Sequence, residues 1–392
     1  MSLLLLLFLP LLIGLGGFIF EQIWGKGRVT WKELLIHCGA VILVVGIGYG
    51  ISMWRNTRDV EHWNGVIANK WKDNSGCCHA YPCNCRSVSC GKDCETTICD
   101  TCYLHPYDVY WKAETSNDEE AYSNSCNGPL TSEPARWTAI KIGEPTSIEH
   151  GFTNYIKGNP DTILRRQGAM EKWHDFLPDY PEVYDFYRAN KFLAIGVKLP
   201  DQAKLNLKLA ELNARLGKLK EVNVIVIVTS AGDQNYAEGL REAWLGGKKN
   251  DLLVVIGAPG FPYIEWVSVI SWSKSEEMKI EIRDRILALA PPGQSLGAFP
   301  GEKILGVIES RAAAKFVRRP WEDFNYLRAS LEPSTTAMII IFVIGILLAI
   351  GLQIFLFLND VFGEEGNGRP PINVRLPDGM PLWNIYRPRR KP

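Results

Sequence analysis

The sequence predicts a multi-domain membrane protein with three transmembrane helices, a small cysteine-rich irregular module and an α/β sandwich domain. Three observations support this fold class. Three stretches without formal charge are long enough to cross a bilayer. Eight of the ten cysteines lie between residues 76 and 102. After residue 191, apolar strand-like runs alternate with amphipathic helical segments, which is typical of α/β proteins.

These patterns divide the chain into six regions, and its charges are balanced overall. With 43 Lys plus Arg and 43 Asp plus Glu, the net charge is zero, which argues against a nucleic-acid partner. The predicted regions are 1–54, a two-helix membrane hairpin; 55–135, the cysteine-rich module; 136–190, a mixed linker or subdomain; 191–320, the α/β domain; 335–358, a transmembrane helix; and 359–392, a tail rich in Pro and Arg.

The three uncharged stretches are Leu3 to Phe20, Leu34 to Trp54 and Ala337 to Leu358. About 20 apolar residues at 1.5 Å each span the hydrocarbon core, so we predict a multi-pass protein held in the lipid bilayer. The first stretch has no basic residue before its leucines, so it is interpreted as a span rather than a signal peptide.

The orientation of these spans stays open at the level of sequence. The spans place residues 55–336 on one side and the loop 21–33 with the tail on the other. Lys and Arg flank the spans on both sides, so the positive-inside rule does not separate the two orientations.

The cysteine segment of this module, residues 77–102, has almost no apolar residues, so a cross-link must hold it together. Zinc is one possibility, because a CxxC pair and neighbouring histidines supply its preferred ligands. The candidate ligands are Cys77, Cys78, His79, Cys83, Cys85, Cys90, Cys94, Cys99, Cys102 and His105. We expect a structural zinc site, and zinc would imply that this domain lies in the cytosol.

Disulfides are the alternative, because this cysteine density is typical of small secreted scaffolds. The choice depends on the compartment: thiols persist in a reducing cytosol, whereas disulfides form in an oxidising space. Zinc is the slightly favoured interpretation, with disulfides instead if this domain is extracytoplasmic.

Residues between the spans and the α/β domain give weaker signals. We predict a polar juxtamembrane segment at 55–75, a polar segment at 106–135 whose acidic run, residues 117–120, is a solvated loop, and a short strand at "TAIKI", residues 138–142. The aromatic residues between 170 and 190 are interpreted as packing residues rather than a base-stacking surface.

From residue 191 the chain alternates strands and helices. Strands are predicted in "KFLAIGVKL", "VNVIVIVTS", "LLVVIGA" and "YIEWVSVISW". Helices are predicted in "QAKLNLKLAELNARLGKLK", "NYAEGLREAWL", "KSEEMKIEIRDRILALA" and "GEKILGVIESRAAAKFV". The continuous β-branched runs indicate strands that are buried on both faces.

The segment 223–258 resembles the TPM domain family, and the resemblance covers about residues 200–290. The likeness lies in a valine-rich strand, a helix ending at Trp244, a Gly-Lys turn and the run from Asn250 to Val255. Asp251 stands where the family usually has Gly, and "WVSVISW" replaces a later family element. The resemblance implies an α/β sandwich, often followed by one membrane span, and the family has been linked to phosphatase activity and divalent-ion binding. The three-span, cysteine-bearing layout also looks like that of phage-encoded membrane proteins.

The candidate ligand-binding residues of the α/β domain are Asp233 and Asp251. Asp233 follows a strand in "SAGDQN", where a ligand could bind. The simpler interpretation, which we favour, is a helix cap at an ordinary turn. No catalytic residue is assigned. The sequence therefore favours a membrane-anchored interaction or scaffold protein that binds other membrane or envelope proteins, with a membrane-tethered phosphatase-type hydrolase as the alternative.

Overall fold

The computed structural model describes residues 3–24, 29–91, 94–123, 133–159, 169–290 and 298–359. They fall into two compact units, one within Met1–Thr57 and Ser330–Pro392 and the other Arg58–Ala329. The predicted tail lies outside the described residues from residue 360 onward.

The described helices are α1 (Leu3–Ile23), α2 (Trp31–Thr57), α3 (Ala135–Ala139), α4 (Ala169–Trp173), α5 (Gln202–Lys220), α6 (Asn235–Ala243), α7 (Glu276–Leu287), α8 (Gly301–Lys315) and α9 (Thr335–Asn359). The described strands are β1 (Arg58–Gly76), β2 (Ala80–Gly91), β3 (Cys94–Tyr103), β4 (Tyr107–Thr115), β5 (Glu120–Ser123), β6 (Pro145–Thr153), β7 (Val183–Tyr184), β8 (Arg188–Ala189), β9 (Phe192–Ile195), β10 (Asn223–Thr229), β11 (Asp251–Gly257) and β12 (Trp266–Ser271).

The first unit contains α1, α2 and α9, each long and apolar enough to cross a membrane. This confirms the prediction of three such helices. These helices approach one another closely at glycines. A Cβ on Gly14 of α1 would lie 2.3 Å from the His37 ring of α2. A Cβ on Gly17 would lie 2.2 Å from the amide of Gln353 on α9. Glycine therefore lets polar side chains of two helices fit against the third.

The second unit begins with regular β structure where the sequence predicts an irregular module. Strand β1 pairs with β6 through its first half and with β4 through its second half, both antiparallel. The sheet order is β5-β4-β1-β6, and β2 and β3 form a separate antiparallel hairpin. The prediction of an irregular module was therefore wrong, and most of the polar segment 55–75 lies in strand β1. The strands are polar because backbone hydrogen bonds and cross-links, rather than a large apolar face, hold them.

The predicted strand at residues 138–142 was also wrong. Residues up to Ala139 belong to the short helix α3, which begins after Pro134. The Lys70 ammonium donates to the carbonyls of Trp137 and Ile140, at 3.1 and 2.9 Å. A side chain thus satisfies carbonyls at the helix end that no longer have a partner within the helix.

The α/β region forms three layers, as its strand and helix pattern predicts. Strands β9, β10 and β11 are parallel, β12 is antiparallel, and the order is β12-β11-β10-β9. Helices α5, α7 and α8 cover one face of this sheet. Helix α6 and the aromatic segment around Trp173 and Tyr180 cover the other. Trp173 and Tyr180 therefore pack against the sheet, in agreement with their interpretation as packing residues, whereas Phe176 and Tyr184 of the same segment are exposed.

Candidate metal centre

Four metal-ligating side chains meet where the four-stranded sheet passes into the β2–β3 hairpin. Residues 77–79 connect β1 to β2, and residues 104–106 connect β3 to β4. The first connection supplies Cys77 and His79, and the second supplies His105, with Asp108 two residues into β4. Both chain crossings between the two ladders therefore contribute two ligands each.

The donor atoms of this cluster all lie within 4.8 Å of one another. The Cys77 Sγ lies 3.7 Å from His79 Nδ1, which lies 3.9 Å from Asp108 Oδ1. The other Asp108 oxygen, Oδ2, accepts from the backbone N–H of Cys78 at 2.8 Å, and His105 Nε2 hydrogen-bonds to Oδ1. Asp108 is fully buried, so its charge needs these partners.

Hydrogen bonds favour the ionised forms of both acidic members. Burial raises the pKa of the Cys77 thiol, but hydrogen bonds from the backbone of His105 and from His79 outweigh that effect, so its pKa lies below its ordinary value. The hydrogen bond from His105, with that from the Cys78 backbone, lowers the pKa of Asp108. Thiolate and carboxylate are the forms that bind a metal.

The cluster fits a metal ion by donor chemistry and by size. One thiolate, two imidazoles and one carboxylate are ligands that Zn²⁺ accepts in a tetrahedron. Bond lengths of 2.0–2.3 Å place the donors of such a site roughly 3.3–3.8 Å apart. The donors here all lie within 4.8 Å of one another, so binding requires the side chains to close by at most about 1.5 Å. The cluster can therefore hold a metal.

Most of the other candidate ligands form disulfides instead. Cys83 is bonded to Cys102 and Cys85 to Cys99, both across the β2–β3 ladder. Cys78 is also disulfide-bonded. A sulfur in a disulfide has no thiolate to offer a metal. The side chains of Cys90 and Cys94 lie outside the described part of the structure. A cluster that could hold a metal and the disulfides, treated as alternatives from the sequence, therefore lie side by side.

Asp108 is the one member of the cluster that the sequence analysis missed. It lies three residues after His105, beyond the last cysteine of the dense segment. Aspartates are frequent in polar segments and mostly solvated, so nothing in its type distinguishes it. The spacing was the one available signal. Cys77 and His79 are two residues apart at one end of the cysteine-rich segment, and His105 and Asp108 are three residues apart just beyond its other end.

The structure does not bring the candidate residues Asp233 and Asp251 together. Strands β10 and β11 are parallel, with Asn223 beside Asp251 and Thr229 beside Gly257. Asp251 begins β11, whereas Asp233 follows the end of β10. They therefore lie at opposite ends of the sheet, about 20 Å apart along a seven-residue strand. Asp233 is part-exposed and pairs with Lys172 at 2.6 Å, a hydrogen bond that lowers its pKa.

Asp251 belongs to a buried polar network between the two sheets. It accepts hydrogen bonds from Tyr180, from the Asn223 amide at 2.8 Å and from the backbone N–H of Lys248 at 2.7 Å. Burial nevertheless raises its pKa to about 6. Gly247 permits this turn, because its φ is +82° and a Cβ there would lie 3.0 Å from the carboxylate.

Lys191 extends the network to the first sheet. Its ammonium donates to the oxygens of Asn64 on β1, Ser147 on β6 and Asn223 on β10, at 2.7, 2.6 and 2.6 Å. Burial lowers its pKa to about 7. Nearby, helix α5 approaches β1 so closely that a Cβ on Gly217 would lie 2.4 Å from the Asn64 carbonyl oxygen. The network therefore joins the two sheets rather than lining an open cleft.

Comparison of this chain with protein-family models, curated proteins and solved structures finds no match.

Proposed function

We propose that this chain is a membrane-anchored interaction protein whose extramembrane domain presents a cross-linked β-hairpin to a partner protein. One observation carries the proposal. The β2–β3 hairpin exposes large apolar side chains while two disulfides hold its strands together. A rigid, apolar surface of this kind is typical of protein-binding sites, because little conformational entropy is lost when it docks.

The exposed side chains lie on the hairpin and at its base. They are Tyr81, Val88, Ile98, Tyr103, Leu104 and Tyr107, with Leu104 exposed to 68%. Tyrosine is enriched at protein interfaces because it buries a large apolar area and can still form a hydrogen bond. The partner we propose is another membrane or envelope protein with an apolar surface patch.

Zinc is the metal that we propose for the cluster of Cys77, His79, His105 and Asp108. The mixed sulfur, nitrogen and oxygen donors support zinc over magnesium or calcium, which prefer all-oxygen sites. All four positions are filled by side chains, which supports a structural rather than a catalytic site. The ion would fix the hairpin to the sheet at its base.

The disulfides support an extracytoplasmic location for the domain. Thiols stay reduced in most cytosols, so cross-linked cysteines favour an oxidising compartment. We therefore propose that residues 58–329 face this compartment and that the loop 21–33 and the tail face the cytosol. Zinc binding is compatible with this location because Cys77, its one sulfur ligand, is a free cysteine.

We also propose that the α/β region is TPM-like and serves the same binding role. The order β10, α6, β11 supports the likeness that the sequence suggests. The separation of Asp233 and Asp251 gives no support to a hydrolase built on both. Phosphate release by the purified chain, abolished in Asp233→Ala, would favour the phosphatase alternative.

Site-specific photocrosslinking tests the interaction proposal in the cells that make this protein. A photoreactive residue replaces Ile98, which is 47% exposed on the hairpin. The matched control replaces Leu207, an exposed leucine on α5. We expect a discrete cross-linked product with one partner from position 98 and none from position 207. Equal labelling from both positions, or none from position 98, would refute the proposal.

A further inference from the structure

A groove of about 420 Å³ runs along the outer edge of β12. Residues 267–271 form its floor, together with Trp272 and Ser273. Helix α6 contributes Glu238 and Arg241 to one wall, and helix α7 contributes Lys279 and Arg283 to the other. Because α6 and α7 cover opposite faces of the sheet, the groove is the open slot in which a further strand would lie.

The floor of the groove is a sheet edge. Among the described strands, β12 pairs with β11 and with no other. In an antiparallel pair, the N–H and C=O groups of alternate residues point away from the partner, so β12 has backbone groups free for another strand. One of its carbonyls, that of Ser271, accepts from the Lys279 ammonium at 3.2 Å, as an edge carbonyl without a strand partner does.

The side chains around this edge favour a negatively charged occupant. Its charged lining consists of four basic and two acidic residues: Arg241, Lys279, Arg283 and Arg319 against Glu238 and Glu276. Arg241 and Lys279 pair with the two glutamates of the groove, Glu238 and Glu276, at 3.7 and 2.6 Å. Arg283 and Arg319 take their carboxylate partners, Asp284 and Asp323, from outside the groove. Such exposed ion pairs are weak, so an incoming carboxylate can replace them.

We infer that β12 binds an extended, acidic segment of a partner protein by β-strand addition. Backbone hydrogen bonds to the β12 edge would supply affinity. The side chains of the added strand would point alternately toward α6 and α7, so acidic residues at every second position would meet Lys279 and Arg283 or, on the other face, Arg241. A second copy of this chain fits less well, because it would bring the same excess of basic residues against itself.

This inference rests on the proposed role as an interaction protein but concerns a different surface from the hairpin. The test uses the full chain in detergent and a fluorescent peptide of about eight residues that alternates valine with glutamate. A peptide that alternates valine with lysine is the control ligand. We expect a saturable increase in fluorescence anisotropy for the glutamate peptide and none for the lysine peptide.

Charge reversal then identifies the surface. The double variant Arg241→Glu with Arg283→Glu should weaken binding of the glutamate peptide at least tenfold. The matched control, Lys204→Glu with Arg215→Glu, reverses two exposed cations of α5 that also take part in ion pairs. It should leave binding unchanged. Hydrogen exchange of the wild-type complex should show slowed amides in residues 266–271.

Three results would overturn the inference: no binding of the glutamate peptide, equal loss in both double variants, or protection that maps outside β12. A dimer of the chain that the groove variant dissociates would also overturn it, since the occupant would then be a second copy. Photocrosslinking from position 98 separates this failure from that of the proposed function, because it reports on the hairpin alone. If hairpin cross-links persist while the peptide does not bind, only the groove inference fails.

Discussion

The free thiol of Cys77 lies 3.7 Å from Nδ1 of His79, while the neighbouring Cys78 is disulfide-bonded. Adjacent cysteines in one turn thus take part in different chemistry. Cys77 remains a thiol beside two imidazoles and a buried carboxylate, where it can ligate a metal. This division of roles motivates the first two predictions, one for the metal and one for the disulfides.

The metal centre should bind about one zinc ion per chain, measured by elemental analysis of the purified full-length protein. Cys77→Ser and Asp108→Asn should each lose the metal, because each removes one of four donors. Adding zinc to the metal-free chain at a hundred times its Kd should stabilise it by about 2.7 kcal/mol. Matched controls are Cys38→Ser and Asp100→Asn, which change a second free cysteine and an exposed aspartate. Zinc retained in Cys77→Ser would contradict the assignment.

Reduction should expose the hairpin to trypsin after Arg86, an exposed residue of β2. The disulfides close loops of 19 and 14 residues, and a loop of this size stabilises by roughly 3 kcal/mol. The oxidised chain should resist cleavage at this bond, and the reduced chain should be cut, as peptide mass mapping will show. In Arg86→Gln the fragment should disappear. Equal cleavage rates in both redox states would mean that the disulfides do not rigidify the hairpin.

The buried carboxyl of Asp251 should make stability fall as pH rises from about 4 to 6. Its pKa rises from 3.8 unfolded to about 6 folded, so the folded chain holds the proton more tightly in this interval. The loss amounts to about 3 kcal/mol. Denaturant unfolding, followed by tryptophan fluorescence across this range, should show the slope in the wild type and a flatter profile in Asp251→Asn. Asp175→Asn, at an exposed carboxylate, should retain the wild-type slope.

The buried amine of Lys191 should make the folding stability increase, rather than fall, as pH rises at higher pH. Burial lowers its pKa from 10.5 to about 7, so the unfolded chain binds more protons between these values. Stability should therefore rise with pH from about 7 to 10. Lys191→Met removes this rise, at the cost of leaving Asn64 Oδ1 without its Lys191 donor, while Asn223 Oδ1 keeps the donation from the Asn64 amide. A rise of the same size in Lys191→Met would show that another group causes it.

Gly217→Ala should destabilise the extramembrane unit by about 1–3 kcal/mol, because the new methyl group would lie 2.4 Å from a backbone oxygen of β1. The matched control is Gly306→Ala in helix α8, where a Cβ would meet nothing within 4 Å. There the gain in helix propensity should stabilise by up to about 1 kcal/mol. Denaturant midpoints measure both. Equal effects at the two sites would contradict the close approach of α5 to β1.

The sequence predicted the α/β region closely because its apolar periodicity is strong. The predicted helix "QAKLNLKLAELNARLGKLK" coincides with α5, and the valine-rich run matches β10. Strand β1 was missed because its 19 residues are mostly polar and its partners, β4 and β6, are distant in sequence. Such strands depend on pairing that no local pattern records.

The candidate site was predicted only in part, for a related reason. Cys77, His79 and His105 were among the expected ligands, but so were cysteines that the fold joins in disulfides across the β2–β3 ladder. Which cysteines pair is decided by the register of β2 and β3, and sequence spacing does not give that register. Asp108 lies beside the other ligands because β4 pairs with the end of β1, where Asp108 is opposite Ser75.

The position of the four candidate ligands at both chain crossings would give a bound metal a mechanical role that differs from that of the disulfides. The disulfides tie β2 to β3 within the hairpin, whereas the ligands tie the hairpin to the sheet below it. Chelation would therefore leave the β2–β3 cross-links in place and remove one of the ties between the hairpin and the sheet, while the Cys78 disulfide and the hydrogen bond from the Cys78 N–H to Asp108 remain. Metal supply and redox state would then act separately on how firmly the exposed tyrosines are held in one direction.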